Sequence, residues 1–231
     1  MESLLLLVRH AETEDNVEMR LSGWTDSLLS PRGERQTAAV AEQIVRAHPV
    51  TTIYSSPLIR ARRTADAIAR RIHRPILLRE DLREMYFGEF EGWPLQQIER
   101  LHPEFLATEF ALDREFMWPS GESRSGFAGR VRTVLDAIAA RHAGESVAVV
   151  THGGVISYFL TMVARRSVTA WRDYQVPNAS LSEVLWNASL GRGTIVRQGA
   201  NGHLLPLQDI ASSPDQIARP DSAITDLPAT V

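Results

Sequence analysis

Three short blocks of this 231-residue chain carry side chains suited to a single ligand. Arg9-His10 follows an apolar run, Arg60 opens a helical stretch after Ser55-Ser56-Pro57, and His152-Gly153-Gly154 follows a second apolar run. Brought to one place, they would surround an anion with two guanidiniums and two imidazoles. A guanidinium meets phosphate oxygens with paired N–H groups, and a helix start adds free backbone N–H groups and the positive end of its dipole. The set therefore reads as a phosphate site. Singly, each residue has a plainer reading: Arg9 as a solvated strand end, Arg60 as one of several arginines on a basic helix with Arg62, Arg63, Arg70 and Arg71.

For the blocks to converge, the elements before them must lie side by side. Leu4-Leu5-Leu6-Leu7-Val8 is a continuous apolar run, as expected of a strand buried on both faces of a parallel sheet. Ser30 as cap and Pro31 as first residue predict a helix to about residue 47. A second strand is expected over 50–54. Ser55-Ser56-Pro57 reads as another capped start, for a helix over 58–72 with Ala61, Ala65, Ile68 and Ile72 on one face. A short strand over 76–78, a helix over 123–142, a strand over 146–150, an apolar helix over 155–164 and closing strands over 181–187 and 194–198 complete the order. This rhythm predicts an α/β fold: a three-layer α/β/α sandwich with a mostly parallel central sheet. In such sheets ligands bind beyond the carboxyl ends of the strands, which is where all three blocks fall. Residues 79–122 differ in character, with eleven acidic side chains against four Arg, and eight of the chain's sixteen aromatics between Tyr86 and Trp118. They read as a lid-like insertion over that end of the sheet. Residues 1–207 are expected to form one catalytic domain, and 208–231, with Pro214, Pro220 and Pro228 and no apolar period, a loosely held tail.

All 25 Lys+Arg residues are Arg, and Cys is absent. Genomic composition can produce both absences, but the exclusions stand whatever the cause. There is no lysine for a Schiff base or a Walker-type phosphate loop, and no thiolate for nucleophilic attack, an iron–sulfur cluster or a disulfide. A covalent catalyst here must use His, Ser, Thr, Asp, Glu or Tyr. A net charge of −3 gives no case for a nucleic-acid partner. The apolar runs at 4–8 and 155–164 are far shorter than the ~20 residues of a membrane span, and the first residues lack the layout of a signal peptide. A cytoplasmic protein with no membrane partner is expected. The oligomeric state stays open, with a homodimer among the options.

The blocks in this order resemble the histidine phosphatase superfamily, the phosphoglycerate-mutase-like proteins, over nearly the whole chain. Leu7-Val8-Arg9-His10-Ala11-Glu12-Thr13 with Asn16 is similar to the signature Arg-His-Gly-x-Thr-x-x-Asn. Ser56-Pro57-Leu58-Ile59-Arg60-Ala61 with Thr64-Ala65 is similar to the second block, and Thr151-His152-Gly153-Gly154 to the last. Between them, Leu82-Arg83-Glu84 with Gly88 and Glu91-Gly92 resembles the block carrying the family's acid, and Pro119-Ser120-Gly121-Glu122-Ser123 a motif of its small-molecule phosphatase branch. The resemblance implies that His10 is the nucleophile that takes the phosphoryl group. A neutral imidazole is competent for this if a backbone carbonyl holds its other nitrogen. It implies that Arg9, Arg60 and His152 grip the phosphate together with Asn16, with Ser22, Gly23 and Gly153 also in the phosphate-binding set. Glu84 would protonate the leaving oxygen and then activate water. Glu89 and Glu91 lie close enough to be confused with it. No metal or cofactor is required, because the arginines supply the positive charge. Ala11 stands where the family usually has Gly, which matters only if the backbone there needs positive φ.

The resemblance implies a metal-independent histidine acid-type phosphatase acting on a small-molecule phosphate ester. A phosphoglycerate-type mutase is the alternative. It fits less well, because those enzymes hold a carboxylate with a lysine and paired arginines, whereas only Arg100 and Arg114 lie between residues 84 and 123. An acidic lid would repel doubly charged ligands, and its aromatics could stack on a sugar or nucleoside-like leaving group or simply pack the lid down. Two readings of other classes are a metal-dependent hydrolase with His10, His152 and Glu84 as ligands, and a non-catalytic phospholigand-binding module. His48, His73, His102, His142 and His203 match no motif and are expected at the surface.

Overall fold

The apolar run at the N-terminus becomes β1 (Ser3–Arg9), with Leu5, Leu6, Leu7 and Val8 fully buried. The computed structural model in which this is seen describes residues 1–110 and 115–207, the side chains of 108–110 excepted. Arg114, the side chain of Phe110 and the tail expected over 208–231 lie outside the described residues. β1 sits inside a six-stranded sheet of order β3-β2-β4-β1-β5-β6. The strands β2 (Thr52–Ser55), β3 (Ile76–Leu78) and β4 (Ser146–Thr151) run parallel to it, whereas β5 (Leu181–Asn187) pairs antiparallel with β1 and β6 (Arg192–Ala200) antiparallel with β5.

Side chains alternate across the strands, and this assigns the layers. Leu5, Leu7, Val147 and Val149 face one apolar cluster with α6 (Arg124–Arg141) and α7 (Gly153–Val163). Leu6, Val8, Ala148 and Val150 face the other, with α2 (Pro31–Ala47) and α3 (Ile59–Ile72). Each fully buried leucine contributes about 1.5–3 kcal/mol. The three-layer sandwich is thus as expected. Register fixes the functional end of the sheet: Arg9 lies opposite Thr151, and Ser55 opposite Val150, so the residues following β1, β2 and β4 emerge side by side.

Local chemistry explains the helix starts, with one correction. Thr13 and Asn16 form a capping box on α1 (Glu14–Val17), and the Ser30 hydroxyl accepts from Gly33 N at 2.9 Å to cap α2. α3 does not begin on a serine cap. Its N-cap is Leu58, its first N–H groups include Ile59 N bonded to Asp26 Oδ1 at 2.8 Å, and Ser56 turns its hydroxyl to His152 instead.

The insertion adds α4 (Leu95–Leu101) and α5 (Pro103–Phe110). Its aromatics mostly pack on one another. Phe90, Phe116 and Trp118 are buried, Phe90 stacks on Phe105 at 5.0 Å, and Trp118 meets Phe87, Phe105 and Phe116 edge-on or tilted. A glycine is needed where the two ends of the insertion touch: a Cβ at Gly88, whose φ is +57°, would lie 2.0 Å from Pro119 O. The expectation of surface histidines fails for His142, which is buried and bonded to the Tyr54 hydroxyl at 3.0 Å; His48, His102 and His203 are half-buried and only His73 is exposed. His142 lies just past the end of α6, held by Tyr54 of β2 and Ser3 of β1, partners that a helical period does not reveal. Among the described residues no helix is long and apolar enough to cross a membrane.

Candidate active site

His10 is the first residue past β1, and both sides of its backbone are pinned. Its N–H donates to Thr151 O at 2.9 Å, and its carbonyl accepts from Ala179 N at 3.1 Å and Asn178 Nδ2 at 3.2 Å. The ring is nearly inaccessible, and Nδ1 lies 2.8 Å from Ala11 O. Because a carbonyl can only accept, Nδ1 must carry the proton and Nε2 presents its lone pair. Ala11 does not have positive φ, its N–H donates to Thr64 Oγ1 at 3.0 Å, and its methyl packs with Ala61 and Ala65. The departure from glycine therefore brings no backbone strain.

Arg60 projects from the first turn of α3 and is 1% exposed. Its two terminal nitrogens donate to Thr25 O at 2.8 Å and Gly23 O at 2.6 Å, while its Nε is buried with no hydrogen-bond partner among the described residues. Burial lowers its pKa, against the opposing pull of Glu84, Asp26, Glu91 and Asp15. His152 is the N-cap of α7, its ring 5.2 Å from that of His10. Its Nε2 lies 2.8 Å from Ser56 Oγ, and Nδ1 is buried with no partner among the described residues. In the tautomer that carries its hydrogen on Nδ1, Nε2 accepts from the Ser56 hydroxyl, whose oxygen in turn accepts from Leu58 N at 3.4 Å. Arg9 reaches Val176 O at 2.7 Å, and its guanidinium runs along Gly153, where a Cβ would come within 3.3 Å of Nε.

Glu84 reaches the same place from the insertion. Its Oε2 accepts from Gly154 N at 2.9 Å, at the start of α7, and Oε1 from Met85 N at 2.9 Å. Its neighbours are engaged elsewhere. Glu91 accepts from Trp24 N, Thr25 N, the Thr25 hydroxyl and Phe87 N, and Glu89 from the Ser120 hydroxyl. A Cβ on Gly154 would stand 2.3 Å from Glu84 Oε1. Gly154→Ala is therefore expected to leave a folded protein with a displaced Glu84 carboxylate, lowering kcat/KM for an alkyl phosphate by about 10–10²-fold, within the range set by losing a general acid. Steady-state kinetics beside a thermal melt checks this.

Both histidines have pKa values held well below 6.5, by burial first and then by the Arg60 charge, with His10 and Arg9 adding to it at His152 and Arg9 at His10. The sign follows directly. As pH falls below 6.5 the unfolded chain takes up protons that the native site refuses, so stability declines on the acid side. Histidine ring NMR of the free protein is expected to give a His10 midpoint below 6.5; a midpoint at or above 6.5 would contradict a buried, arginine-flanked ring.

Of the expected site residues, Arg9, His10, Arg60, Glu84, His152 and Gly153 converge directly. Asn16 joins through Asn178, whose Nδ2 bonds both Asn16 Oδ1 at 3.0 Å and His10 O. Gly23 enters through its carbonyl on Arg60, whereas the Ser22 hydroxyl is spent on Asp15 Oδ2 at 2.9 Å. Asn178 was not among the expected residues. It precedes β5, and an antiparallel neighbour of β1 necessarily begins at the end where β1 stops, which is the one signal that pointed to it. Trp24, whose indole N–H donates to Glu84 O at 2.9 Å, is a second addition. Among the described residues no three His, Asp or Glu side chains are gathered to hold a metal, and two backbone amides occupy the Glu84 carboxylate.

Residues 5–199 match the model of the histidine phosphatase superfamily (branch 1). A metal-independent phosphoserine phosphatase of Arabidopsis thaliana is 34% identical over 165 residues, 71% of this chain and 69% of the relative. A probable phosphoglycerate mutase of Yersinia enterocolitica is 30% identical over 203 residues, 87% and 94% respectively. Among solved structures, a mycobacterial glucosyl-3-phosphoglycerate phosphatase superposes with a TM-score of 0.76 at 26% identity, covering 87% of this chain and all of the other.

Proposed function

Because the chain belongs to the histidine phosphatase superfamily, branch 1, we propose that it is a metal-independent phosphatase hydrolysing a small-molecule phosphate monoester through a phosphohistidine at His10. The observation that carries this reading is the free lone pair of His10 Nε2, with the His152 ring 5.2 Å away and the Arg60 charge felt at His10, while the buried His152 Nδ1 and Arg60 Nε have no partners among the described residues. A buried unsatisfied donor costs about 1–3 kcal/mol, a deficit that a phosphate oxygen removes.

In the first half-reaction Nε2 attacks phosphorus and forms the N–P bond. The bond from phosphorus to the leaving oxygen breaks, its electron pair stays on that oxygen, and the Glu84 carboxyl gives it a proton. Arg9, Arg60, His152 Nδ1–H and the start of α7 meet the charge on the equatorial oxygens. In the second half, Glu84 takes a proton from water as the water oxygen bonds phosphorus. The N–P bond breaks, its electron pair returns to Nε2, and phosphate leaves with Glu84 protonated again.

Hydrolysis rather than mutation is supported by the phosphatase names among the relatives and by Arg100 standing exposed on α4. Three of the eleven lid acids, Glu80, Asp81 and Glu122, are paired with Arg83, Arg79 and Arg130. Trp24, 39% exposed and 4.9 Å from Tyr86, with the Arg83 guanidinium over it at 4.8 Å, offers the leaving group an aromatic wall. The test is a panel of phosphomonoesters that includes phosphoserine, glucosyl-3-phosphoglycerate and both phosphoglycerates. Phosphate release is expected to exceed interconversion of 2- and 3-phosphoglycerate. Faster interconversion would make the chain a mutase, as the name of the Yersinia relative would have it.

A further inference from the structure

Helix α6 carries an arginine whose guanidinium is turned onto the loop bearing Glu84. Arg130 Nε and one terminal nitrogen bond the two oxygens of Glu122 at 2.8 and 2.6 Å. That same nitrogen donates to Glu84 O at 3.0 Å, and the other to Asp81 O at 3.0 Å and Arg83 O at 2.7 Å. Leu82 O is taken by the Thr151 hydroxyl at 2.7 Å, so four successive carbonyls, 81 to 84, each have a donor and three share one cation. Beyond Glu84, the other Glu122 contact fixes the chain: Oε2 accepts from Tyr86 N at 2.9 Å. The carbonyls of a tight turn point the same way and repel one another unless a donor collects them. A planar fork does so at several points at once, which an ammonium cannot. Both Arg130 and Glu122 are about one-fifth exposed, so the pair is largely shielded.

We propose that Arg130 is the positioning residue for the general acid: with Glu122 it fixes the 81–86 loop so that the Glu84 carboxyl rests against Gly154 N at the mouth of the phosphate site. The proposal rests on the reading of Glu84 as the acid. Arg130 has no hydrogen bond to His10 or to the groups that grip phosphate; its charge adds to the lowering of the His152 pKa, but every hydrogen bond of its guanidinium goes to Glu122 and the loop, so its removal should weigh chiefly on the step that Glu84 serves.

Leaving-group dependence separates this from a merely structural role. An alkyl phosphate needs a proton on its leaving oxygen, whereas 2,4-dinitrophenyl phosphate departs without one. In a two-step reaction kcat/KM reports phosphorylation of the enzyme alone, so hydrolysis of the shared intermediate does not enter. Arg130→Gln is expected to lower kcat/KM for an alkyl phosphate by about 30–100-fold and for the dinitrophenyl ester by less than about 3-fold, the same split as Glu84→Gln. Placed on Glu84→Gln, it should change the alkyl value by less than about 3-fold, because residues acting as one unit are non-additive. Arg130→Lys, which keeps the charge and part of the contacts, should show the split at about 10-fold and decides the matter if the glutamine variant does not fold. Equal losses on both esters, no loss on either, or full additivity with Glu84→Gln would overturn the proposal. If Glu84→Gln itself shows no split, it is the acid assignment that falls; a split in Glu84→Gln without one in Arg130→Gln overturns the positioning role alone.

Discussion

His10→Ala is expected to reduce phosphate release by about 10⁴–10⁶-fold while leaving the fold intact, the scale seen when a covalent nucleophile is removed from a site that acts as a unit. The ring contributes little to the core: it makes one side-chain hydrogen bond, to Ala11 O, and its backbone bonds to Thr151, Asn178 and Ala179 do not depend on the side chain. A thermal melt near that of the unchanged protein should therefore accompany the loss. The variant should still bind inorganic phosphate, since Arg9, Arg60 and His152 remain. Residual activity within about tenfold of the unchanged protein would mean that the nucleophile is another group. Phosphate binding without turnover in the unchanged protein would favour a binding module.

The second large effect is expected at Arg60. Arg60→Lys preserves the charge, yet kcat/KM should fall by about 10²–10³-fold, comparable to losing a transition-state donor. The arginine does two jobs with one planar group. Its terminal nitrogens hold the carbonyls of Gly23 and Thr25, and its buried Nε has no hydrogen-bond partner among the described residues. A lysine ammonium is a single point that can serve the loop or the phosphate, and the desolvation that lowers the pKa of Arg60 would press harder on lysine. Inhibition by inorganic phosphate should weaken by at least about tenfold in parallel. Kinetics unchanged within tenfold would place the phosphate away from α3. The arginine-only composition, whatever its genomic origin, is therefore not neutral at this position.

What could be read from the sequence follows the reach of each interaction. Arg9, His10, Arg60 and His152 were legible because each ends a strand or starts a helix, so local pattern and the rule for parallel sheets place them together. Asn178 was not, since it lies just before an antiparallel strand over 160 residues later, and that the strand pairs with β1 is a tertiary fact. Ser56 looked like a cap because a serine before proline is a common local signal; a tertiary partner, His152, claims the hydroxyl instead. For the lid aromatics packing was the plainer reading and stacking on a ligand the sharper one, and their mutual burial decides for packing. Arg130 is one of many arginines on helices in this chain, and nothing within α6 distinguishes it until the insertion folds back across it. Glu84 stood between these cases. Its motif was visible, but the contact that sets it at the phosphate site, Gly154 N on its carboxylate, is non-local, as are those that draw Glu91 to Trp24 and Glu89 to Ser120.

Covalent phosphorylation of His10 is the claim on which the rest depends, and Glu84→Gln offers the way to observe it. With dinitrophenyl phosphate labelled in phosphorus, this variant should release the leaving group without a proton donor yet hydrolyse the intermediate slowly for want of a base. A burst of dinitrophenol of about one equivalent per chain is predicted, with a matching acid-labile, alkali-stable label on the peptide that contains His10. Turnover with no burst and no label, or a label on any other residue, would contradict the account.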